Sequence, residues 1–264
     1  MPFWRTTRGI SAFADRPPMI TFSIITCTRN SLTTLPDTLR SVRAQTGVEL
    51  EHIFVDGDST DGTLELLQRQ PGHTQLLTGV RGGIAHAMNA GIAAARGDVI
   101  AHLHSDDYYL HADVLAGVSK RLQTDGSDWL FGRVVSDIGG AHVPEHFVAP
   151  RFSLARLLRR NFVPHPATFV RRVVFERHGT FREDYRLAMD YEFWLRIAPH
   201  CTVTQLDEPL TAFRVHEGSA TERHALASLR EDFKARFVHA PLWLWPEFAA
   251  RYPVRLGRLL VGRQ

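Results

Sequence analysis

Three aspartate-bearing stretches and one glycine pair could support chemistry. In Val55-Asp56-Gly57-Asp58-Ser59-Thr60-Asp61-Gly62-Thr63, carboxylates and hydroxyls crowd a turn that leads into a helix. A helix start offers unpaired N–H groups and the positive end of a dipole. Asp61 and Ser59 fit turn and N-cap roles, whereas Asp56 ends an apolar run and is better placed to bond ribose hydroxyls or a base N–H. In His102-Leu103-His104-Ser105-Asp106-Asp107-Tyr108, adjacent carboxylates repel unless a cation lies beside them. A divalent ion held by one or two carboxylates and completed by substrate phosphates is the common Mg²⁺ arrangement, and Mn²⁺ also suits oxygen and imidazole ligands. His102 and His104 share one strand face; they read as packed or hydrogen-bonded core histidines, with metal ligation by His104 as the other reading. Asp190, in Leu187-Ala188-Met189-Asp190-Tyr191-Glu192, opens a helix; locally it fits an N-cap and a partly desolvated general base equally well. Arg81-Gly82-Gly83 precedes a helix and lets backbone N–H groups approach a phosphate. Neither a dinucleotide-binding GxGxxG nor a P-loop occurs.

These stretches need a scaffold that places them at one edge. Short β-branched or apolar runs at 20–27, 49–55, 75–77 and 98–103 read as strands. Helical spacing covers 31–45, 61–68, 84–95 and 112–122, with Asp61 as a cap and Gly97 ending the third helix. The alternation predicts an α/β fold with a mainly parallel sheet covered on both faces, and ligands beyond the carboxyl ends of its strands. Further on, strands are expected at 129–136, 167–171, 201–206 and 210–215, and helices at 152–160, 191–197 and 222–237. Residues 1–18, with Pro17-Pro18 and no apolar core, read as an extension rather than a secretory leader. The main domain is expected over 19–220, with a basic amphipathic helical segment over 221–264.

Charge divides unevenly. Residues 1–150 carry a net charge of −4 and residues 151–264 a net of +7, giving the overall +3. All but two of the basic residues are arginine. The acidic half is the expected place for metal or hydroxyl ligands, and the basic half for something anionic. No long apolar run predicts a membrane span. Two cysteines, Cys27 and Cys201, cannot build a disulfide scaffold and fit a reducing compartment.

Taken together, the pieces resemble family 2 glycosyltransferases, which have the GT-A fold. The resemblance rests on Thr26-Cys27-Thr28-Arg29-Asn30, the VDGDSTDGT turn, GGIAHAMNAGIAAARGD, LHSDDYY, HPATFVRR at 165–172 and AMDYEFWLRI at 188–197, in register along 19–216. It is closest to bacterial members that build surface polysaccharides and glycolipids. It implies inverting transfer of a hexosyl or N-acetylhexosaminyl group from a nucleoside-diphosphate sugar, most often a UDP-sugar, to a saccharide or lipid-linked acceptor. By position, Thr26, Thr28, Arg29 and Asp56 would line the nucleotide pocket, with Asp58, Arg81 and Gly83 beside it. Asp106 would face the ribose, Asp106 and Asp107 would form the acidic metal-binding pair for Mn²⁺ or Mg²⁺, and Asp190 would be the catalytic base. His216 lies where some such enzymes place a late metal or diphosphate contact. Two departures stand out. Related sequences often read DKGIYDAMN where this chain reads RGGIAHAMN, so carboxylates on the sugar side of the donor are missing. His104 stands where asparagine is common.

Between 237 and 264, Trp243, Trp245, Phe248, Tyr252 and Leu256 alternate with Arg251, Arg255 and Arg258. Aromatic and basic residues on one amphipathic stretch suit an anionic bilayer interface, and a terminal helix packed on the domain or on a second subunit is the other reading. The chain is expected in the cytoplasm, peripheral on the inner face of the cytoplasmic membrane. Competing functions are a sugar-nucleotide nucleotidyltransferase and a non-catalytic sugar-nucleotide-binding module. The first usually needs a lysine-containing loop after the first strand, where Thr28-Arg29-Asn30 stands here; the second is at odds with the retained aspartates. No RNA- or DNA-binding motif occurs, so a nucleic-acid partner is not expected.

Overall fold

The computed structural model describes residues 19–71, 74–144, 149–215 and 225–261. The expected extension at 1–18 and the candidate ligand His216 lie outside them. Strands β1 (Thr21–Thr28), β2 (Glu49–Asp56), β3 (Thr74–Leu77) and β4 (Val99–His102) form a parallel half-sheet in the order β3-β2-β1-β4. β1 is buried on both faces, as its unbroken run of β-branched and aromatic residues requires. Helices α1 (Leu35–Arg43), α2 (Thr63–Gln68) and α3 (Ile84–Ala94) make the crossovers. The sheet continues through β8 (Thr168–Arg171), β6 (Trp129–Ile138), β9 (Val203–Arg214) and β5 (Tyr108–Tyr109), and β7 (Ala141–Pro144) pairs with β6. In this second half β6 and β9 run parallel and the other pairings are antiparallel. The result is a mixed α/β fold built around a Rossmann-like parallel half and flanked by helices, with added C-terminal helices.

The remaining helices are α4 (Val114–Asp125), α5 (Leu154–Leu157), α6 (Arg172–His178), α7 (Met189–Ile197), α8 (Ala225–His239) and α9 (Trp245–Val261). The indoles of Trp129 on β6 and Trp194 on α7 stack at 5.4 Å, 3° from parallel, in the core on one face of the sheet. Leu229 and Phe233 of α8 and Phe248 of α9 belong to that same core, so the C-terminal helices pack their inner faces on the domain.

Several boundaries differ from the sequence reading. The expected strands at 201–206 and 210–215 are one strand, β9, whose register against β6 shifts between Phe131 and Val134. The expected helix at 152–160 shrinks to four residues. β5, β7 and α6 were not foreseen; two of them are short strands that only pairing stabilises. Gly97 does not end α3, which closes at Ala95. Its reason is proximity: a Cβ there would lie 2.6 Å from the Ser23 backbone nitrogen. Asp61 does cap α2, from one residue before the N-cap Gly62, by accepting from Thr63 N at 3.0 Å and Thr63 Oγ1 at 2.6 Å.

Candidate active site

The C-terminal ends of β1 and β2 are joined side by side. Their register sets Thr28 opposite Asp56, and Thr28 Oγ1 donates to Asp56 Oδ2 at 2.8 Å. Ser59 completes the arrangement by donating N–H to Oδ1 at 2.9 Å and Oγ–H to Oδ2 at 2.6 Å. Asp56 is fully buried, and its carboxylate fixes the turn. Among the described residues, the only non-glycine positions with positive φ are Asn30 and Asp58, at +53° and +62°. Both sit just past these strand ends, where backbone strain often accompanies a binding site.

The turn borders a cleft of about 500 Å³ lined by Cys27, Thr28, Arg29, Gly57, Asp58 and the Val80–Ile84 loop. Asp58 and Arg81 form an ion pair across it. Of the predicted nucleotide-side residues, Thr28, Arg29, Asp58, Arg81 and Gly83 therefore line the cleft, and Asp56 lies directly behind the wall. Thr26 does not line it, which corrects the sequence reading. It is fully buried, its hydroxyl donates to Leu103 O at 2.7 Å and accepts from His52 Nε2 at 2.9 Å. Thr26 and Thr28 are two apart and share a strand face, but β1 ends at Thr28, so only the second reaches the edge. Cys27, a cleft residue the sequence reading passed over, is buried, and burial pushes its thiol up to about 12.

The acidic pair follows β4. Ser105 Oγ donates to Ser31 Oγ at 2.8 Å, tying this loop to the one after β1. Asp106 is half-buried and Asp107 buried. Asp107 Oδ1 accepts from Arg214 N at 3.2 Å, while Oδ2 has no partner. Desolvation and the neighbouring Asp106 charge push the Asp107 carboxyl well above its ordinary value, against the opposing Arg214. An orphaned, buried carboxylate oxygen beside a second carboxylate is the environment a divalent cation relieves. Among the described residues no three His, Cys, Asp or Glu side chains gather as a ready ligand set. The two aspartates thus fit a metal whose remaining ligands are phosphate oxygens and water.

Asp190 lies in the first turn of α7, after the N-cap Ala188, so the N-cap reading does not hold. Its Oδ1 accepts from Tyr191 N at 2.6 Å. Burial pushes its carboxyl up to about 7, with the Asp232 charge adding to the rise and hydrogen bonds from Tyr191 N–H and the Asn161 side chain opposing it. The imidazole of His104 stacks on that of His165 at 5.3 Å, and His165 contacts Trp194 at 6.0 Å. Trp194 is one turn past Asp190, so His165 bridges the acidic loop to the helix of the candidate base. His165 also meets His102 at 5.4 Å, and desolvation holds His102, His104 and His165 neutral by lowering all three. The core reading of His102 holds; His104 is half-buried and packed on His165.

A second pocket of about 260 Å³ shares Gly82, Gly83 and Ile84 with the cleft, and Glu183, Tyr185 and Leu187 form its other side. Glu183 Oε1 lies 3.1 Å from His86 Nδ1 and accepts from Asn89 Nδ2 at 3.2 Å. It was missed in the sequence because its partners lie nearly 100 residues earlier. His86 and Asn89, in the quoted AMN segment, were the available signal.

A family model described as glycosyl transferase family 2 matches residues 23–226. An uncharacterized glycosyltransferase of Mycobacterium tuberculosis (strain H37Rv) is 36% identical over 200 residues, covering 72% of this chain and 71% of that protein. A PGL/p-HBAD biosynthesis glycosyltransferase of Mycobacterium bovis (strain BCG) is 34% identical over 185 residues, covering 66% and 68%. Among solved structures, Staphylococcus aureus TarS in complex with UDP-GlcNAc superposes with a TM-score of 0.67 at 23% identity, over 82% of this chain and 64% of that one. The mannosyltransferase PcManGT of Pyrobaculum calidifontis, in complex with GDP-Man and Mn²⁺, gives 0.65 at 20% identity, over 88% and 68%. This chain thus spans under two thirds of the TarS chain, and these two likenesses concern the fold. On the strength of the family match and the curated relatives, the chain belongs to glycosyl transferase family 2 and is a glycosyltransferase.

Proposed function

We propose that this protein is an inverting glycosyltransferase that moves a hexosyl or N-acetylhexosaminyl group from a nucleoside-diphosphate sugar, UDP first among them, to a hydroxyl of a saccharide or lipid-linked acceptor. The observation that carries this reading is Asp190, a carboxyl pushed up to about 7 in a helix that His165 joins to the acidic pair. A base with a pKa near neutrality suits proton removal from a hydroxyl at working pH. The nucleotide would lie in the cleft against Thr28, Arg29 and Gly83, with the Asp56 turn fixing its wall. The TarS structure holds UDP-GlcNAc and the PcManGT structure GDP-Man with Mn²⁺, which supports a sugar-nucleotide donor and a divalent metal. Asp107 and Asp106 would hold Mn²⁺ or Mg²⁺, which would neutralise charge developing on the leaving diphosphate.

The chain's own residues do the rest. Asp190 takes the acceptor hydroxyl proton as that oxygen attacks the anomeric carbon from the face opposite the diphosphate. The carbon–oxygen bond to the diphosphate breaks, and the nucleoside diphosphate leaves with the electron pair. Arg29 and Arg81 at the cleft favour that anion. Asp190→Asn is expected to lower transfer by about 10²–10⁴-fold while nucleoside-diphosphate binding, read as a thermal shift with Mn²⁺, persists. EDTA is expected to stop turnover. Normal turnover by Asp190→Asn would end the reading.

An anionic membrane surface is the proposed site of action, at the inner face of the cytoplasmic membrane. The outward positions of α9 are Trp245, Pro246, Ala249, Ala250, Arg251, Pro253, Val254, Gly257 and Arg258, with no carboxylate among them. Leu242 and Trp243 before it are 74% and 73% exposed. Apolar and cationic groups on one face favour an anionic interface. Among the described residues no helix is long and apolar enough to cross a membrane. Flotation with phosphatidylglycerol vesicles should recover the protein at low salt and less of it at high salt; no recovery at low salt would refute the assignment.

A further inference from the structure

The segment carrying Asp190 is held by α8, which begins where the family match ends. Lys234 Nζ donates to Asp184 Oδ2 at 2.8 Å. Arg236, almost fully buried, donates from Nε to Tyr191 Oη at 3.1 Å. His239 Nε2 lies 3.0 Å from Glu192 Oε1. The densest contact is Glu231. Its carboxylate accepts three successive backbone N–H groups: Arg186 N at 3.0 Å, Leu187 N at 2.8 Å and Ala188 N at 2.9 Å. Ala188 is the N-cap of α7 and has no side-chain acceptor of its own. Three aligned N–H groups make a small anion-binding concavity, and here a carboxylate from the following helix fills it.

We infer that Glu231 is the positioning residue of the catalytic base: from α8 it fixes residues 186–188, and through them the turn from which Asp190 meets the acceptor. The inference rests on the proposed role of Asp190 and extends it to a helix outside the family match. Charge-assisted bonds are shorter and stronger than neutral ones. Among the described residues, the Glu231 carboxylate is the acceptor these three N–H groups use. Removing the carboxylate frees the loop between Tyr185, which is buried, and Met189. Misplacing a catalytic group by about 1 Å can cost about 100-fold in rate. Glu231 lines the adjoining pocket of about 260 Å³, which shares Gly82, Gly83 and Ile84 with the nucleotide cleft, but not the cleft itself.

The test uses the full chain with Glu231→Ala and the near-isosteric Glu231→Gln, whose amide oxygen still accepts part of the set. Amide hydrogen exchange, read without substrate, should speed up at residues 186–191 in both variants and stay unchanged at β1 and β2. UDP release from UDP-glucose with octyl glucoside and Mn²⁺ should show kcat down by about 10–100-fold in Glu231→Ala and by less in Glu231→Gln. The KM for UDP-glucose should stay within about twofold of wild type, because uniform binding is untouched. Unchanged exchange at 186–191 in Glu231→Gln overturns the inference, as does a rise in KM with kcat preserved, which would make Glu231 a substrate contact. Should Glu231→Ala fail to fold, Glu231→Gln decides alone by the same exchange readout. Asp190→Asn runs alongside: turnover retained there sinks the base assignment, whereas an inactive Asp190→Asn with a fully active Glu231→Gln sinks only the positioning role.

Discussion

Two carboxylates proposed for one site, Asp56 behind the cleft and Asp190 in the first turn of α7, have different surroundings. Asp56 receives three hydrogen bonds from Thr28 and Ser59, all from the ends of two strands already paired in register. Asp190 accepts hydrogen bonds from the Tyr191 N–H, its own backbone N–H and the Asn161 side chain, yet burial and the like charge of Asp232 push it up to about 7. The first serves as a strut between two strand ends. The second is desolvated beside a like charge, which suits the proposed base. The two carboxylates therefore differ in desolvation and neighbouring charge, not in the number of hydrogen bonds they accept.

The comparison breaks most visibly in stability. Asp56→Ala leaves the Thr28 hydroxyl and the Ser59 N–H and hydroxyl without their acceptor inside the fold. The expected loss is about 1–3 kcal/mol for each donor left buried and unpaired, measured by urea unfolding. An Asp56→Ala protein as stable as wild type would show that the turn does not depend on the strut.

Asp190→Asn should move the other way. The Asp190 carboxyl ionises near 7 when folded, against an ordinary 3.8. Between those values the folded chain holds the extra proton and the unfolded chain does not, so stability falls as pH rises through that window. Asparagine has no such penalty. The melting temperature of Asp190→Asn relative to wild type should therefore climb from pH 4 to pH 7 and then level off. A flat difference across that range would mean that the folded chain does not raise the Asp190 carboxyl.

The same contrast explains what was legible in the sequence. The strand-end wall could be read because its parts are local: an apolar run, then Asp, Gly, Ser and Thr, with strand pairing supplying the rest. Arg81 and Gly83 came from the glycine pair before a helix, whereas Thr28 and Arg29 came from the family resemblance, as did Thr26, which fails because the cleft begins one residue later than the motif suggests. The base wall is assembled from distant pieces. Locally Asp190 was visible as an acid at a helix start, with the base role supplied by the family resemblance, and its N-cap reading fell because Ala188 occupies that place. Glu183, Glu231 and Arg214 carry no local pattern; each gains meaning from a partner far away in sequence. Gly97 shows the same limit on a small scale, since a glycine two residues past a helix looks like a terminator and is in fact pressed against β1.

The smallest expected effect is also the most specific to the base wall. Asp232 adds to the rise of Asp190, while Arg236 and Arg255 hold Asp232 itself down against its own burial. The groups acting on Asp190 are thus the Tyr191 N–H, its own backbone N–H, the Asn161 side chain and Asp232. Neutralising the like charge with Asp232→Asn makes ionisation of Asp190 easier and leaves the hydrogen bonds in place. As the proposed base, Asp190 must be deprotonated to act, so the acid limb of kcat/KM against pH, which reports the free enzyme, should shift to lower pH by less than about one unit. Arg236 loses its 3.4 Å partner in this variant, yet it keeps Tyr191 Oη, so α8 stays docked and the shift can be read as electrostatic. A midpoint that stays put would assign the rise of Asp190 to burial alone, and a midpoint that moves up would reverse the proposed sign of the Asp232 contribution.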